Sequence, residues 1–382
     1  MQYRTLGRSG LRVGAIALGC EGFAGKTDAE ARDLLDYAIA KGVNFIDIYS
    51  PNPQLRGVIA KALQGRREDF HIQAHLGAVW KNGQYERTRD LAEVRQGFET
   101  ALKELQTDYL DVGMIHYCDD VPDLERILAD GIMDFAVELR AAGRIRSIGL
   151  SSHNPVVARK AVEDGRLEVL MFSVNPCYDM QPPGEDVEQL WAEEAYAKAL
   201  HNFNAEREAL YELCARRGVG IDVMKAYAGG DLLQADLSPF GRAFTPVQAL
   251  NYALTRPAVA AAMVGCKSAA ELDQALAWCT ATAEERDYSR VLAGLDKFTW
   301  SGHCMYCGHC APCPADISVA DVNKYLNLAV AQGAVPETVR DHYKLLAHHA
   351  SECVKCGACE TRCPFAVPVR ERMALAVQVF GF

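Results

Sequence analysis

Short apolar runs, many of them rich in Val and Ile, alternate with amphipathic stretches through the first 280 residues of the chain. Each run has the length of a buried strand. Between two of them, Leu91–Leu105 repeats apolar residues at the spacing of a helix. Strands are predicted at Val13–Leu18, Val43–Ile48, Phe70–Ala74, Tyr109–Ile115, Arg146–Leu150, Val169–Val174, Val219–Met224 and Ala260–Val264.

Helix start signals separate these strands. Thr27-Asp-Ala-Glu30 and Ser268-x-x-Glu271 have the pattern of a capping box, and a helix is predicted across Asp130–Ala142. Eight strand–helix alternations follow a short hairpin predicted at Tyr3–Arg12. This order predicts an α/β protein whose parallel sheet closes into a (β/α)8 TIM barrel, with its chemistry on the loops that follow the strands.

Two segments lie outside the barrel pattern. The acidic stretch Asp179–Phe203 follows the sixth predicted strand, where it forms either a lid or docking surface or an ordinary solvated loop. Near the end of the chain, Ser318–Ala331 and Pro336–His349 have helical patterns. The predicted domains are a barrel at 1–282, a helical connector at 283–300 and an α-helical ferredoxin-like domain at 301–382.

Eight cysteines in the last eighty residues form two runs of four, and each run ends in Cys-Pro. Such spacing is typical of proteins with two [4Fe–4S] clusters, in which the fourth cysteine of a run usually binds the other cluster. Zinc is the alternative, but it would leave the third cysteine and the Cys-Pro of each run unexplained. The predicted ligands of one cluster are Cys304, Cys307, Cys310 and Cys363, and those of the other are Cys353, Cys356, Cys359 and Cys313.

Composition narrows the class of protein. The chain is 49% apolar and 24% charged, which describes a globular protein, and its net charge of −10 argues against a nucleic-acid partner. No apolar run reaches membrane-spanning length, and the first residues lack a signal-peptide pattern. The six cysteines outside the two runs are scattered singly. We therefore expect a cytoplasmic protein without a membrane partner, in an anaerobic host.

Short motifs at the predicted strand ends, taken in order, resemble the aldo-keto reductase family, and the whole chain resembles its fusions to a two-cluster ferredoxin-type domain. These motifs are Asn44-Phe-Ile-Asp47, Asp108-Tyr-Leu-Asp111 with His116, Ile148-Gly-Leu-Ser151-Ser152, Asn175-Pro-Cys-Tyr178, Met224-Lys225-Ala226 and Gly265-Cys-Lys267-Ser268. The resemblance implies reduction of carbonyl groups with NADP(H) or NAD(H). It also implies a catalytic Asp, Tyr, Lys and His at four strand ends.

Only two of these four residues are present. Asp47 and His116 match the family's aspartate and histidine, whereas Asn52 stands at the tyrosine position and His75 at the lysine position. An amide cannot act as a general acid, but a histidine titrates near neutrality. His75 is therefore either a substitute acid or a hydrogen-bonded partner of Asp47. The predicted catalytic residues are Asp47, His75 and His116.

The resemblance also implies a nicotinamide site. Small polar side chains and an aromatic ring stand where the family binds the cofactor, and a Lys-Ser pair stands where it meets an adenosine 2′-phosphate. Asp273 lies where the family often has arginine, and its charge would repel that phosphate. The predicted cofactor-binding residues are Ser151, Ser152, Asn175, Tyr178, Lys267 and Ser268.

Four further cysteines follow predicted strand ends, at Cys20, Cys118, Cys177 and Cys266. They indicate either a third metal site at the barrel mouth or small buried residues, and no Cys-x-x-Cys spacing supports the metal.

Three functions remain open on this basis. The chain is an oxidoreductase that passes single electrons through its clusters to or from a small carbonyl or hydroxyl substrate, with a ferredoxin or flavoprotein as redox partner. Alternatively, it is an NAD(P)H-dependent carbonyl reductase with accessory clusters, or a non-catalytic electron-transfer subunit. Hydride transfer requires no iron, so the paired clusters favour the first.

Overall fold

The computed structural model describes residues 1–179, 205–238, 240–288, 291, 304, 310–331, 335, 337–363 and 366–382. These residues form two compact units. The first contains residues 1–179, 205–227 and 245–288, and the second contains residues 228–244 and the described residues from 291 onward. Most of the acidic insert Asp179–Phe203 lies outside the described residues.

Eight parallel strands close into a barrel in the first unit, with sequential strands as neighbours and the last pairing with the first. This confirms the predicted TIM barrel. The strands are β1 (Ile16–Gly19), β2 (Phe45–Ile48), β3 (His71–Leu76), β4 (Leu110–Ile115), β5 (Ile145–Ser152), β6 (Val169–Ser173), β7 (Gly220–Met224) and β8 (Val259–Gly265).

Helices connect the strands of the barrel. Their bounds are Asp28–Ala40, Pro53–Ala62, Leu91–Leu105, Val121–Ala129, Ile132–Ala141, Pro155–Asp164, Pro176–Asp179, Ala205–Arg217, Pro246–Leu254 and Ala269–Leu276. Thr27 and Glu30 form the capping box predicted for the first helix. The helix predicted at Asp130–Ala142 is confirmed, with bounds Ile132–Ala141. A further helix, Val121–Ala129, was not predicted; it precedes Ile132–Ala141, and Gly131 turns the chain between them with a φ of 87°.

The amino-terminal hairpin, formed by Tyr3–Thr5 and Arg12–Gly14, fills one end of the barrel. Its Leu6, Leu11 and Val13 side chains pack into the same buried cluster as interior residues of the strands. Gly7 contacts the backbone of Gly220 at the first residue of β7 so closely that a side chain there would overlap it. The amino ends of the strands are therefore covered, and the carboxyl ends remain for the chemistry.

The second unit has helices at Val319–Ala331, Glu337–Lys344, Ala358–Arg362 and Val369–Phe380. The first confirms the helix predicted at Ser318–Ala331, and the second confirms the helix predicted at Pro336–His349 except that it ends at Lys344. A core that includes Val322, Leu326, Tyr343 and Phe380 holds them together. Of the predicted connector, residues 283–288 form turns and irregular chain. In the described parts of both units, no helix is long and apolar enough to cross a bilayer.

Candidate active site and cluster-binding cysteines

The three predicted catalytic residues meet at the carboxyl ends of β2, β3 and β4. His75 Nε2 lies 3.1 Å from Asp47 Oδ1, and His75 Nδ1 lies 2.8 Å from Nδ1 of His116. All three are buried, with exposed fractions of 4%, 6% and 5% for Asp47, His75 and His116. His75 is thus the hydrogen-bonded partner of Asp47, and it also connects that carboxylate to the second histidine.

Asp47, His75 and His116 thus form a line of hydrogen-bonded side chains, called the histidine line. A fourth residue extends the histidine line, and sequence reasoning missed it. The hydroxyl oxygen of Tyr85 lies 2.5 Å from His116 Nε2. Tyr85 belongs to a second hairpin, Ala78–Lys81 paired with Gln84–Arg87, in the loop after β3. The turn of this hairpin, Asn82-Gly83, has positive φ at both residues, and Asn-Gly between two short strands is the sequence signal that marks such a hairpin.

His116 is held neutral by its surroundings. Burial lowers its pKa well below the usual value, and the nearby His75, Arg89, Arg87 and His153 lower that pKa further. Arg89 Nη2 donates to the carbonyl oxygen of His116 at 2.9 Å and so fixes the backbone beside the ring. A neutral imidazole donates through one ring nitrogen and accepts through the other, as a link in a hydrogen-bonded chain must.

Below this line, Gln73 Nε2 donates to Asp47 at 3.0 Å and to Asp222 at 2.9 Å. Asp222 lies on β7 with no exposed surface, and burial together with the charge of Asp47 raises the pKa of its carboxyl to about 8. The second oxygen of Asp222 has no hydrogen-bond partner among the described residues. The carboxyl of Asp222 is therefore mostly protonated at neutral pH.

In the second unit, Cys313, Cys353, Cys356 and Cys359 line one small pocket, together with Ile317, Val319 and Met373. This is the ligand set predicted for one cluster, three cysteines of the second run and the fourth of the first. Within the described ranges, no three His, Cys, Asp or Glu side chains are close enough to hold a single metal ion. Thiols placed around a pocket, rather than on one point, fit a cube whose four irons occupy separate corners.

The ligands predicted for the other cluster are described only in part. Cys304, Cys310 and Cys363 are half-buried against the core of this unit, and Cys307 lies outside the described residues. Arg362 Nη2 donates to the carbonyl oxygens of Cys310 and Pro312 at 2.6 and 2.5 Å. This side chain joins the two cysteine runs.

The model of the aldo/keto reductase family matches residues 11–242. The chain belongs to this family. The model of the 4Fe-4S dicluster domain matches residues 300–367 of this aldo/keto reductase, which supports iron–sulfur clusters as its cofactors.

Known proteins are similar to parts of this aldo/keto reductase. Protein tas of Escherichia coli (strain K12) is 28% identical over 40% of the chain and 52% of its own length. Aldo-keto reductase YhdN of Bacillus subtilis (strain 168) is 28% identical over 40% of the chain and 47% of its own length. The chain thus spans about half the length of these curated relatives. The holo structure of aldo-keto reductase AKR11C1 from Bacillus halodurans has the same fold, with a TM-score of 0.61 at 23% identity, covering 78% of this chain and 98% of that one.

Asn52, at the tyrosine position of the family, has a structural role in this aldo/keto reductase. Its side-chain oxygen accepts hydrogen bonds from the backbone N–H groups of Gln54 and Leu55, at 2.8 and 3.3 Å. It thereby caps the helix Pro53–Ala62, with Pro53 at the first helical position. The side chain is committed to the backbone rather than to chemistry.

The residues predicted to contact the nicotinamide ring lie at the carboxyl end of β5 and just after β6. Ser151 and Ser152 are buried, and Ser152 Oγ donates to Asp119 at 3.2 Å. Asn175 donates to the carbonyl oxygen of Lys225 at 2.9 Å and accepts from the backbone N–H of Tyr178 at 3.0 Å. The Asn175 side chain thus links the segments that follow β6 and β7.

Lys267 and Ser268, predicted to meet a 2′-phosphate, are exposed at the start of the helix Ala269–Leu276. Ser268 caps that helix by accepting from the backbone N–H of Glu271 at 3.3 Å, and the carboxylate of Glu271 accepts from Lys267 N–H at 2.8 Å. Asp273 accepts from the Tyr37 hydroxyl at 2.7 Å and forms an ion pair with Lys41 at 3.8 Å.

The cysteines Cys20, Cys118, Cys177 and Cys266 are each buried in the barrel. Burial raises the thiol pKa of Cys118 and of Cys266 to about 12, so both are protonated at neutral pH. Protonated buried thiols behave as small apolar residues.

Proposed function

We propose that this protein is an iron–sulfur oxidoreductase that exchanges single electrons, through two [4Fe–4S] clusters, with a small carbonyl or hydroxyl substrate at the barrel mouth. One observation carries the proposal. The chain combines a pocket lined by four cysteines with a barrel site in which Asn52 and His75 stand at the family's tyrosine and lysine positions and His75 contacts His116.

The proposed cluster ligands are crossed between the two runs. Cys304, Cys307 and Cys310 with Cys363 bind one cluster, and Cys353, Cys356 and Cys359 with Cys313 bind the other. Such clusters supply one-electron redox chemistry when bound. The pocket around the second set supports this assignment.

Asp47, His75 and His116 are the proposed catalytic residues, and their task is to hold and move a proton. Asp47 stabilises a positive charge on His75 in the way that a carboxylate stabilises any adjacent imidazolium. Position 52 has no hydroxyl and position 75 has no ammonium, so the acid on which the family relies for hydride transfer from NAD(P)H is absent from its usual place.

An NAD(P)H-dependent carbonyl reductase is the second candidate, because Ser151, Ser152, Asn175 and Tyr178 remain at the strand ends where the family binds nicotinamide. The exposed Lys267 and Ser268 would then bind the 2′-phosphate of NADP(H). The ion pair between Asp273 and Lys41 reduces the repulsion expected from this acid.

We further propose that the electrons come from a ferredoxin or flavoprotein in the cytoplasm of an anaerobe. The experiment is an anaerobic titration of the purified protein with NADPH, NADH and reduced ferredoxin, followed by the cluster absorbance. Reduced ferredoxin should bleach the clusters and both nicotinamides should leave them oxidised.

The barrel site is tested by turnover of small aldehydes and ketones with reduced methyl viologen as donor. His116→Ala should abolish turnover and leave the cluster spectrum unchanged. Fast NADPH-dependent aldehyde reduction that survives His116→Ala would establish the second candidate instead.

A further inference from the structure

We propose that Tyr85 is the acid of the barrel site: its hydroxyl gives a proton to the substrate oxygen, and His116, His75 and Asp47 replace that proton. The inference rests on the proposed function and adds a catalytic residue to it.

The position of Tyr85 is the first argument. The hairpin after β3 brings the phenol to His116 Nε2 at 2.5 Å, while 38% of the tyrosine remains exposed. The hydroxyl thus contacts the buried histidine His116, while the tyrosine side chain as a whole is partly exposed. His116 is only 5% exposed, and its outward nitrogen already contacts Tyr85, so a proton leaves His116 through the phenol.

The direction of each hydrogen bond follows from the carboxylate. An ionised Asp47 only accepts, so His75 Nε2 carries the proton between them. In neutral His75, Nδ1 then accepts, and the 2.8 Å contact requires that His116 donates through its own Nδ1. His116 Nε2 is left as an acceptor, and the Tyr85 hydroxyl donates to it. The four residues form one continuous proton path with consistent polarity.

One additional proton reverses this path. His75 then becomes an imidazolium beside Asp47 and donates through Nδ1 to His116, whose Nε2–H donates to the Tyr85 oxygen. The Tyr85 proton is now directed away from the histidine, toward substrate. When it moves to the substrate oxygen, protons shift from His116 Nε2 to Tyr85 and from His75 Nδ1 to His116, and the neutral resting state returns.

The balance of the reaction is complete. Reduction of a carbonyl to a hydroxyl takes two electrons and two protons. The reduced ferredoxin or flavoprotein of the proposed function supplies the electrons, Tyr85 supplies the proton on oxygen, and water supplies the hydrogen on carbon. Asp47 beside the cationic His75 serves as the family's aspartate does beside its lysine, and Tyr85 replaces the phenol that is absent at Asn52.

Another phenol at the mouth is arranged differently. The Tyr49 hydroxyl donates to Glu21 at 3.0 Å, and its ring meets His75 edge-on with centroids 6.4 Å apart. A proton leaving Tyr49 would be replaced from a carboxylate rather than from the histidine line.

The first test reads the hydrogen bond without turnover. In protein with 15N-labelled histidine and oxidised clusters, the His116 Nε2 signal should be that of a hydrogen-bonded acceptor nitrogen. Tyr85→Phe should shift this signal downfield, while Tyr109→Phe should not, because the Tyr109 ring stacks on Arg67 and Arg146 elsewhere. If the His116 Nε2 chemical shift is the same in Tyr85→Phe as in the parent, the inference is overturned and the proposed function is left intact.

The second test is turnover of small aldehydes and ketones with reduced methyl viologen. Tyr85→Phe should lower kcat by ~10²–10⁴, the usual value of general-acid help. Tyr109→Phe should stay near the parent rate, and the cluster spectrum should be unchanged in both. Full activity in Tyr85→Phe, or a comparable loss in Tyr49→Phe alone, would refute the role of Tyr85. A parent protein inactive on all carbonyls would overturn the proposed function and this role together.

Discussion

At the scale of single residues, the buried carboxyl of Asp222 makes the stability of the barrel depend on pH. Its pKa in the folded protein, about 8, exceeds the unfolded value of about 3.9. The folded state therefore binds more protons than the unfolded state between these values. This stabilising contribution is complete below pH ~3.9 and is lost as the pH rises through about 8.

We expect Asp222→Asn to remove this loss of stability at high pH. The amide oxygen still accepts from Gln73, but the side chain cannot ionise. The free energy of unfolding of Asp222→Asn relative to the parent, measured by urea unfolding, should rise from pH 5 to pH 8 by roughly 1.4 kcal/mol per pH unit at most, and level off above. A difference that does not vary with pH would show that Asp222 titrates normally.

The sequence alone identified only part of the candidate active site. Asp47, His75 and His116 were identifiable because strand-end motifs placed each at the same rim. Their order could not be deduced, since the sequence does not show that His75 lies between the other two. Tyr85 was missed because the loop after β3 had been given no structure, although Asn82-Gly83 marked a hairpin.

At the scale of elements, the helix Pro53–Ala62 depends on Asn52 for its amino-terminal cap. Asn52→Ala leaves backbone N–H groups without a partner and should destabilise the barrel by ~1 kcal/mol. Asn52→Asp preserves the acceptor and should retain nearly the parent melting temperature. Equal stability of all three proteins would show that water replaces the cap.

The helix Ala205–Arg217 is fixed to the short helix Pro176–Asp179, which follows β6, by a buried ion pair. Arg207 Nε donates to Asp179 at 2.7 Å, and the hydroxyls of Tyr211 and Tyr252 donate to the same carboxylate. Arg207→Met would leave a buried charge uncompensated, so we expect a loss of ~3–5 kcal/mol in urea unfolding.

Arg216→Met is the matched control, because Arg216 forms an exposed pair with Glu212 on the same helix. It should cost less than ~1 kcal/mol. The double variant Asp179→Asn with Arg207→Met should recover part of the loss. A single Arg207→Met variant as stable as the control would mean that the pair does not anchor the helix.

Apolar periodicity predicted the eight strands well, because each strand of a parallel barrel is buried on both faces. It failed at Val121–Ala129, where the helix bounds depend on Gly131 and on Asp120, whose side chain caps the helix. Such local turns are decided by backbone geometry that apolar spacing does not report.

At the scale of the whole molecule, cluster content follows from the crossed assignment. The protein purified without oxygen should contain about eight iron and eight sulfide per chain. Cys313→Ala should reduce iron to about four or fewer, because Cys313 belongs to the pocket of the second run. Cys279→Ala, outside both runs, should keep the parent content. Unchanged iron in Cys313→Ala would disprove the crossing.

The crossed pocket has a further consequence for assembly. A cluster that binds Cys313 and the second run closes a ring of chain containing the helices Val319–Ala331 and Glu337–Lys344. Ring closure costs conformational entropy, and a second tie between the same two segments adds little to that cost. Binding of either cluster therefore lowers the entropic cost of binding the other. Cells starved of iron should accumulate empty and fully loaded chains, with few that hold a single cluster.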